Sequence, residues 1–200
     1  MRTARGCGAD DTYLSPPRCW RVVKLLEPVD GLPCLATMAK RAISAGFEVL
    51  VSLSSEDHPR AHVVSYLDLQ ICVVPNHRDG MSASLRTAAK VVAPHGTAMM
   101  ILLPDMPAIE INDLREILNA HAANPDSIIQ ASSITGGPGH PVLFPNHLLS
   151  EFEDLCGDKG AAALLKAHSE KIKYVLLNDN RARLDLDTPE DWAAWRALDL

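Results

Sequence analysis

The run Pro104-Asp105-Met106-Pro107 puts a carboxylate directly after the apolar stretch 97–103. If that stretch is a buried strand, its tip offers Asp105 no apolar cover, and the side chain points into a crevice. A hard cation such as Mg²⁺ binds through one or two carboxylates together with substrate phosphates, so Asp105 is a candidate metal ligand. An aspartate between prolines also makes an ordinary turn. Near the end of the chain, Leu184-Asp185-Leu186-Asp187-Thr188-Pro189-Glu190-Asp191 alternates acids with leucines. In an extended segment Asp185 and Asp187 share one face, where two carboxylates repel unless water or a cation separates them. From Asp187 onward the same run is a helix start, with Asp187 as cap, a proline in the first turn and acids for the dipole.

Three glycine-bearing runs add polar groups. In Gly80-Met81-Ser82-Ala83-Ser84-Leu85, Gly80 lets backbone approach a ligand, and Ser82 and Ser84 set hydroxyls beside the free N–H groups of a helix start. That suits ribose, a base edge or phosphate, and it equally suits a simple serine cap. Gly136-Gly137-Pro138-Gly139-His140-Pro141 predicts a rigid loop poor in side chains, with His140 able to donate to phosphate or move a proton. Gly157-Asp158-Lys159-Gly160 opens a helix, with Asp158 as its cap and Lys159 as a phosphate contact.

The elements that must position these residues follow from periodicity. Helical spacing covers 33–45, 82–92, 110–123, 146–155, 161–168 and 188–198. Short apolar runs of strand length cover 47–53, 69–74, 97–103, 127–131, 141–144 and 173–177, with 183–186 a further extended stretch. Strands alternating with helices predict a three-layer α/β fold with a mainly parallel sheet. Ligands in such sheets sit beyond the carboxyl ends of the strands, where the polar runs stand.

Composition narrows the function classes. Two hundred residues at 21.7 kDa fit one domain, with about 70% of the unfolded surface buried. The balance of 19 basic against 25 acidic residues, or −6, is a poor footprint for nucleic acid or an anionic membrane. No apolar stretch reaches the roughly 20 residues of a membrane helix, and no secretory signal is recognisable. Five scattered cysteines without a Cys-x-x-Cys pair suit a reduced, cytoplasmic setting. His58 and His62 have helical ligand spacing, but Pro59 between them favours a helix start. Composition shifts near residue 24: the first 24 residues hold five basic and two acidic side chains and no periodicity. Residues 1–23 are expected to form an irregular segment, and 24–200 the domain.

In this order the runs resemble the MobA-like nucleotidyltransferases, in particular the molybdenum cofactor cytidylyltransferase branch. The match begins at Lys24-Leu25-Leu26-Glu27-Pro28-Val29-Asp30-Gly31-Leu32-Pro33 and continues through Gly80–Leu85 and Asp105-Met106-Pro107. It goes on through Gly139-His140-Pro141-Val142-Leu143-Phe144 and Gly157–Ala161 to the acidic run 185–191. The resemblance implies a Rossmann-like mixed sheet of the nucleotide-diphospho-sugar transferase type. It implies Mg²⁺-dependent transfer of CMP or GMP from CTP or GTP to the phosphate of molybdopterin, releasing pyrophosphate. By carry-over, Lys24, Asp105 and Asp187 are the catalytic residues, the two aspartates holding Mg²⁺. Gly80, Met81, Ser82 and Ser84 would hold the nucleotide; Gly139, His140, Asp158, Lys159 and Gly160 would face the pterin. A molybdoenzyme or its chaperone is the implied protein partner.

One departure stands out. The family opens with a strand and a glycine-rich loop that wraps the triphosphate with backbone N–H groups, whereas this chain has no glycine between Gly8 and Gly31. The first central strand is missing with it; either the chain is a degraded relative, or its first 23 residues come from a shifted reading frame or a wrong start, which the abrupt change at Lys24 favours. The chain as written is therefore expected to bind nucleotide weakly. The alternative function is a catalytically impaired relative that binds and carries molybdenum cofactor.

Overall fold

Residues 24–198 are described by this computed structural model; residues 1–23, with the expected irregular segment and absent first strand, lie outside them. A 3₁₀ turn at Lys24–Leu26 leads into β1 (Pro28–Val29) and β2 (Leu32–Pro33), a short antiparallel pair, and then α1 (Cys34–Ala45). β3 (Leu50–Leu53) pairs in parallel with β4 (Gln70–Val73) across α2 (Pro59–Val64). α3 (Met81–Val92), β5 (Ala98–Ile101), α4 (Ile111–Ala123) and β6 (Ile128–Ser133) follow. β7 (Gly137–Pro145), a 3₁₀ segment at Asn146–Asp154, α5 (Ala162–Ala167), β8 (Ile172–Leu177) and α6 (Pro189–Leu198) complete the order. Gly46 ends α1 in the left-handed conformation, and His58 caps α2 by accepting from the Arg60 backbone N–H.

Four strands form one sheet in the order β5-β7-β6-β8. β6 and β8 are parallel, while β7 runs against both β5 and β6. Only three residues separate β6 from β7, too few for the crossover a parallel pair needs, so the sheet is mixed. Ile129 and Ala131 of β6 pack with α1, α4 and Trp192, whereas Ile128 packs with Phe144, Phe152 and Ala89. Successive residues of one strand thus feed two cores, which makes the sheet a middle layer between helices. A third cluster joins Leu35 and Ala36 of α1 to Val51 and Leu53 of β3 and Val64 of α2.

Three local expectations change. Residues 137–141 are not a loop but the first half of β7, bulged against β6 between Gln130 and Ser132. Gly139 is there because a Cβ would overlap the Ala182 carbonyl oxygen; strand and neighbouring turn touch backbone to backbone. Residues 183–186 form no strand: a 3₁₀ turn at Arg181–Arg183 is followed by irregular chain, whose Leu186 N–H donates to the Asp105 carbonyl at 2.9 Å. Asn146–Asp154 winds as 3₁₀ rather than α-helix, with Leu148, Leu149 and Phe152 inward. Among the described residues no helix is long and apolar enough to cross a membrane.

Candidate functional site

Lys24 opens its 3₁₀ turn, Asp105 lies four residues beyond the end of β5, and Asp187 stands two residues before α6. The fold brings these three distant positions together. The Lys24 ammonium donates to Asp105 Oδ2 at 2.6 Å and to Asp187 Oδ1 at 2.7 Å. The side chains of Lys24 and Asp105 are 12% and 17% exposed, whereas that of Asp187 is 57% exposed. Asp187 is therefore the solvent-facing side of the cluster. Burial lowers the basicity of Lys24, but the hydrogen bonds and charges of the two aspartates outweigh it and hold the ammonium above the ordinary lysine range.

The surrounding backbone is fixed by side chains that carry no sequence motif. Cys34, fully buried at the start of α1, donates its thiol to the Pro104 carbonyl at 3.0 Å. Burial, then the charge of Asp105, pushes the Cys34 thiol up to about 12, so it is a packed donor rather than a nucleophile. Arg41 of α1 donates to the Pro107 and Ile109 carbonyls at 2.6 and 2.7 Å and to Asp30 at 2.8 Å. One guanidinium thus ties the segment after Asp105 to the β1–β2 turn near Lys24. Glu27 pairs with Arg196 of α6 at 2.5 Å, and the Trp192 indole N–H donates to the Leu186 carbonyl at 3.2 Å. The one available signal was register: Arg41 follows Cys34 by seven residues and Met38 by three, a charge on the inward stripe of α1.

The helix start after Asp187 is capped differently from the sequence expectation. The Thr188 hydroxyl accepts from the Asp191 N–H at 3.1 Å, and Asp191 accepts from the Thr188 N–H at 2.8 Å. This is a reciprocal capping box, so Asp187 is not the cap and its carboxylate is left for the cluster. Asp185 does not join that cluster by a hydrogen bond. Burial acts most on His140 of β7, opposed by a hydrogen bond with the Ile101 backbone and by the charges of Asp105 and Asp185, while its Nδ1 is buried without a partner. Burial prevails and holds the imidazole below its ordinary range, hence neutral near pH 7.

A second cluster forms where 157–160 meets the first turn of α3. The Met81 N–H donates to Asp158 Oδ1 at 3.3 Å, and the Ser82 N–H donates to the Gly157 carbonyl at 3.1 Å. Asp158 therefore serves α3, not the helix that follows it; α5 has Ala161 at its N-cap and no side-chain cap. Gly80 takes φ 84°, and a Cβ there would overlap Asp158 Oδ1. Gly160 fits beneath the Met81 sulfur, and Ser82 is fully buried with its hydroxyl unpartnered. Ser84 is half-buried on α3 and Lys159 is exposed. Among the described residues no hydrogen bond or ion pair joins this cluster to Lys24, Asp105 and Asp187, and Gly139 packs against Ala182 rather than against 157–160.

The donor set suits a hard divalent cation. Two carboxylate oxygens converge on one point, as the Lys24 contacts show, and both are hard ligands. Among the described residues no group of three or more His, Cys, Asp or Glu could hold a metal. An ion on this pair needs further oxygens from substrate or water, the usual arrangement for Mg²⁺ at phosphates.

The family model described as MobA-like NTP transferase domain matches residues 18–172, more than half of the chain. No curated protein matches. The crystal structure of Rv0371c from Mycobacterium tuberculosis H37Rv is similar at 26% identity and a TM-score of 0.74, covering 88% of this chain and 89% of that one. The Rv0371c complex with manganese is similar at 25% identity and a TM-score of 0.71, covering 86% and 89%. CMP:2-keto-3-deoxy-manno-octonic acid synthetase complexed with CTP shares the fold at 15% identity and a TM-score of 0.69, covering 88% and 91%.

Proposed function

Because this chain belongs to the MobA-like NTP transferase domain family, and is thus a nucleotidyltransferase, we propose that it moves CMP, or GMP, from the triphosphate to the phosphate of molybdopterin. The observation that carries the reading is the convergence of Lys24, Asp105 and Asp187, one cation and two anions at one point. An in-line attack of one phosphate on another is opposed mainly by charge. An oxygen of the acceptor phosphate attacks the α-phosphorus, the bond to the bridging oxygen breaks, and pyrophosphate leaves with the electron pair. The acceptor is already ionised, so no strong base is required.

Asp105 and Asp187 are the residues that would hold Mg²⁺ or Mn²⁺, and the manganese complex of the 25%-identical structure supports a divalent ion. When bound, that ion supplies charge neutralisation on the triphosphate oxygens. Lys24 supplies a second positive charge and donates to phosphate oxygens. Gly80, Met81, Ser82 and Ser84 at the start of α3 hold base and ribose. His140 on one side, and Asp158, Lys159 and Gly160 on the other, hold the acceptor. The setting is cytoplasmic, with a molybdoenzyme or its chaperone receiving the product.

Pyrophosphate release tests the reading. The full chain, millimolar CTP or GTP, Mg²⁺ and molybdopterin should release pyrophosphate only when the acceptor is present. No release with either nucleotide would reject it. The absence of glycine between Gly8 and Gly31 favours one second reading, a cofactor carrier without turnover. Calorimetry separates the two: a transferase binds one nucleotide with metal dependence, while a carrier binds molybdopterin and neither nucleotide.

A further inference from the structure

We propose that Lys24 and a divalent cation are alternative occupants of the Asp105–Asp187 carboxylate pair, so that arrival of the metal expels the lysine onto the triphosphate. The inference rests on the reading above and adds an order of events to it.

The ammonium nitrogen touches one oxygen of each carboxylate, at 2.6 and 2.7 Å. Two oxygens that both touch one nitrogen leave a single gap between them. A divalent ion bonded to both at about 2.1 Å fills the same gap. Charges of +1 and +2 cannot share it, because a gap that one nitrogen fills at 2.6 and 2.7 Å would set them in contact, where their repulsion is strongest. Lys24 is free to leave: among the described residues its Nζ makes no other hydrogen bond, and it rides on a flexible four-carbon stem. The route in is also plain, since Asp187 is the exposed member of the pair.

Three consequences follow from competition. In the nucleotide-free protein Lys24 neutralises the carboxylates and weakens metal binding. Once a triphosphate offers oxygens to the displaced ammonium, metal and nucleotide help each other, and by linkage the coupling is reciprocal. Lys24 therefore acts twice, as a counter-ion that keeps the empty pair in register and as a phosphate donor once it is displaced. The two roles need the same side chain in two positions, and a compact ammonium fits the narrow gap that the broader, planar guanidinium of an arginine would not.

The experiment is a Mn²⁺ titration of the nucleotide-free full chain, followed by electron paramagnetic resonance of the free ion. Lys24→Met and Lys24→Gln should bind Mn²⁺ at least tenfold more tightly than wild type, and Asp105→Asn should bind it more weakly. Affinity in the Lys24 variants that is equal to or below wild type overturns the proposal, and so does absence of binding by every form. Should those variants fail to fold, the wild-type protein decides: Mn²⁺ should speed acetylation of the Lys24 amine several-fold while the other lysines stay unchanged. An unchanged rate at Lys24 overturns the proposal. Pyrophosphate release is measured separately, so a transferase without exchange and an exchanger without transfer give different results.

Discussion

Asp105 and Asp187 differ in exposure, and the difference sets what each substitution does. If Asp105 holds the metal as proposed, Asp105→Asn should leave the circular dichroism spectrum intact and cut turnover by orders of magnitude, because losing one charge from a metal clamp costs several kcal/mol at the transition state. Full activity in that variant ends the assignment. Asp187→Asn should cut turnover too, yet with little loss of stability, since Thr188 and Asp191 make the cap and Asp187 does not. Thr188→Ala is the counterpart: about 1 kcal/mol less stable in urea, with an unchanged rate per folded molecule. His140 gives the pH prediction. Its folded pKa is depressed, so the unfolded chain takes up the proton first and stability falls as pH drops below about 6.5. His140→Gln should shrink the difference in urea midpoint between pH 7.5 and pH 5.5. At this scale the sequence exposed the carboxylates because strand tips and helix starts have local signatures. Cys34 and Arg41 were not legible, since their partners are backbone carbonyls about 70 residues away that no local pattern reveals.

Helices and strands with a strong local period were readable to within a few residues, as α1, α3 and α4 show. The failures lie where tertiary contact decides. Gly137 to His140 carry loop composition, yet pairing with β6 and the close backbone of Ala182 draw them into β7. Leu184 and Leu186 alternate like a strand but find no ladder; Leu186 is buried beside Trp192 instead. The contact of α3 with 157–160 was equally hidden, because Asp158 reads as a cap for the next helix. That contact makes a prediction of its own. Gly80→Ala adds a Cβ in a left-handed conformation, on top of the Asp158 carboxylate, and must push 157–158 away. It should lower stability by more than about 1 kcal/mol and raise KM for the nucleotide. A Gly80→Ala variant with wild-type stability and KM would show that the α3 start and the 157–160 loop are not coupled.

At the scale of the molecule, the question is what grips a triphosphate when the polypeptide carries no glycine between Gly8 and Gly31. Backbone N–H groups in a glycine-rich loop neutralise phosphate without any ionisable group. On the proposed reading, a chain of net charge −6 with no glycine over that stretch relies on Lys24 and a divalent ion, because its general field repels a polyanion. Nucleotide binding should accordingly be weak, steeply metal-dependent and reduced by added salt. Replacing residues 1–23 by a glycine-bearing strand and loop of the family's kind should raise CTP or GTP affinity at least tenfold and soften the metal dependence. Fluorescence titration of both proteins, with and without Mg²⁺, measures both quantities. Tight, metal-independent binding by the unaltered chain would mean that it holds the triphosphate without a glycine loop, and equal affinity in both proteins would remove any role for that loop.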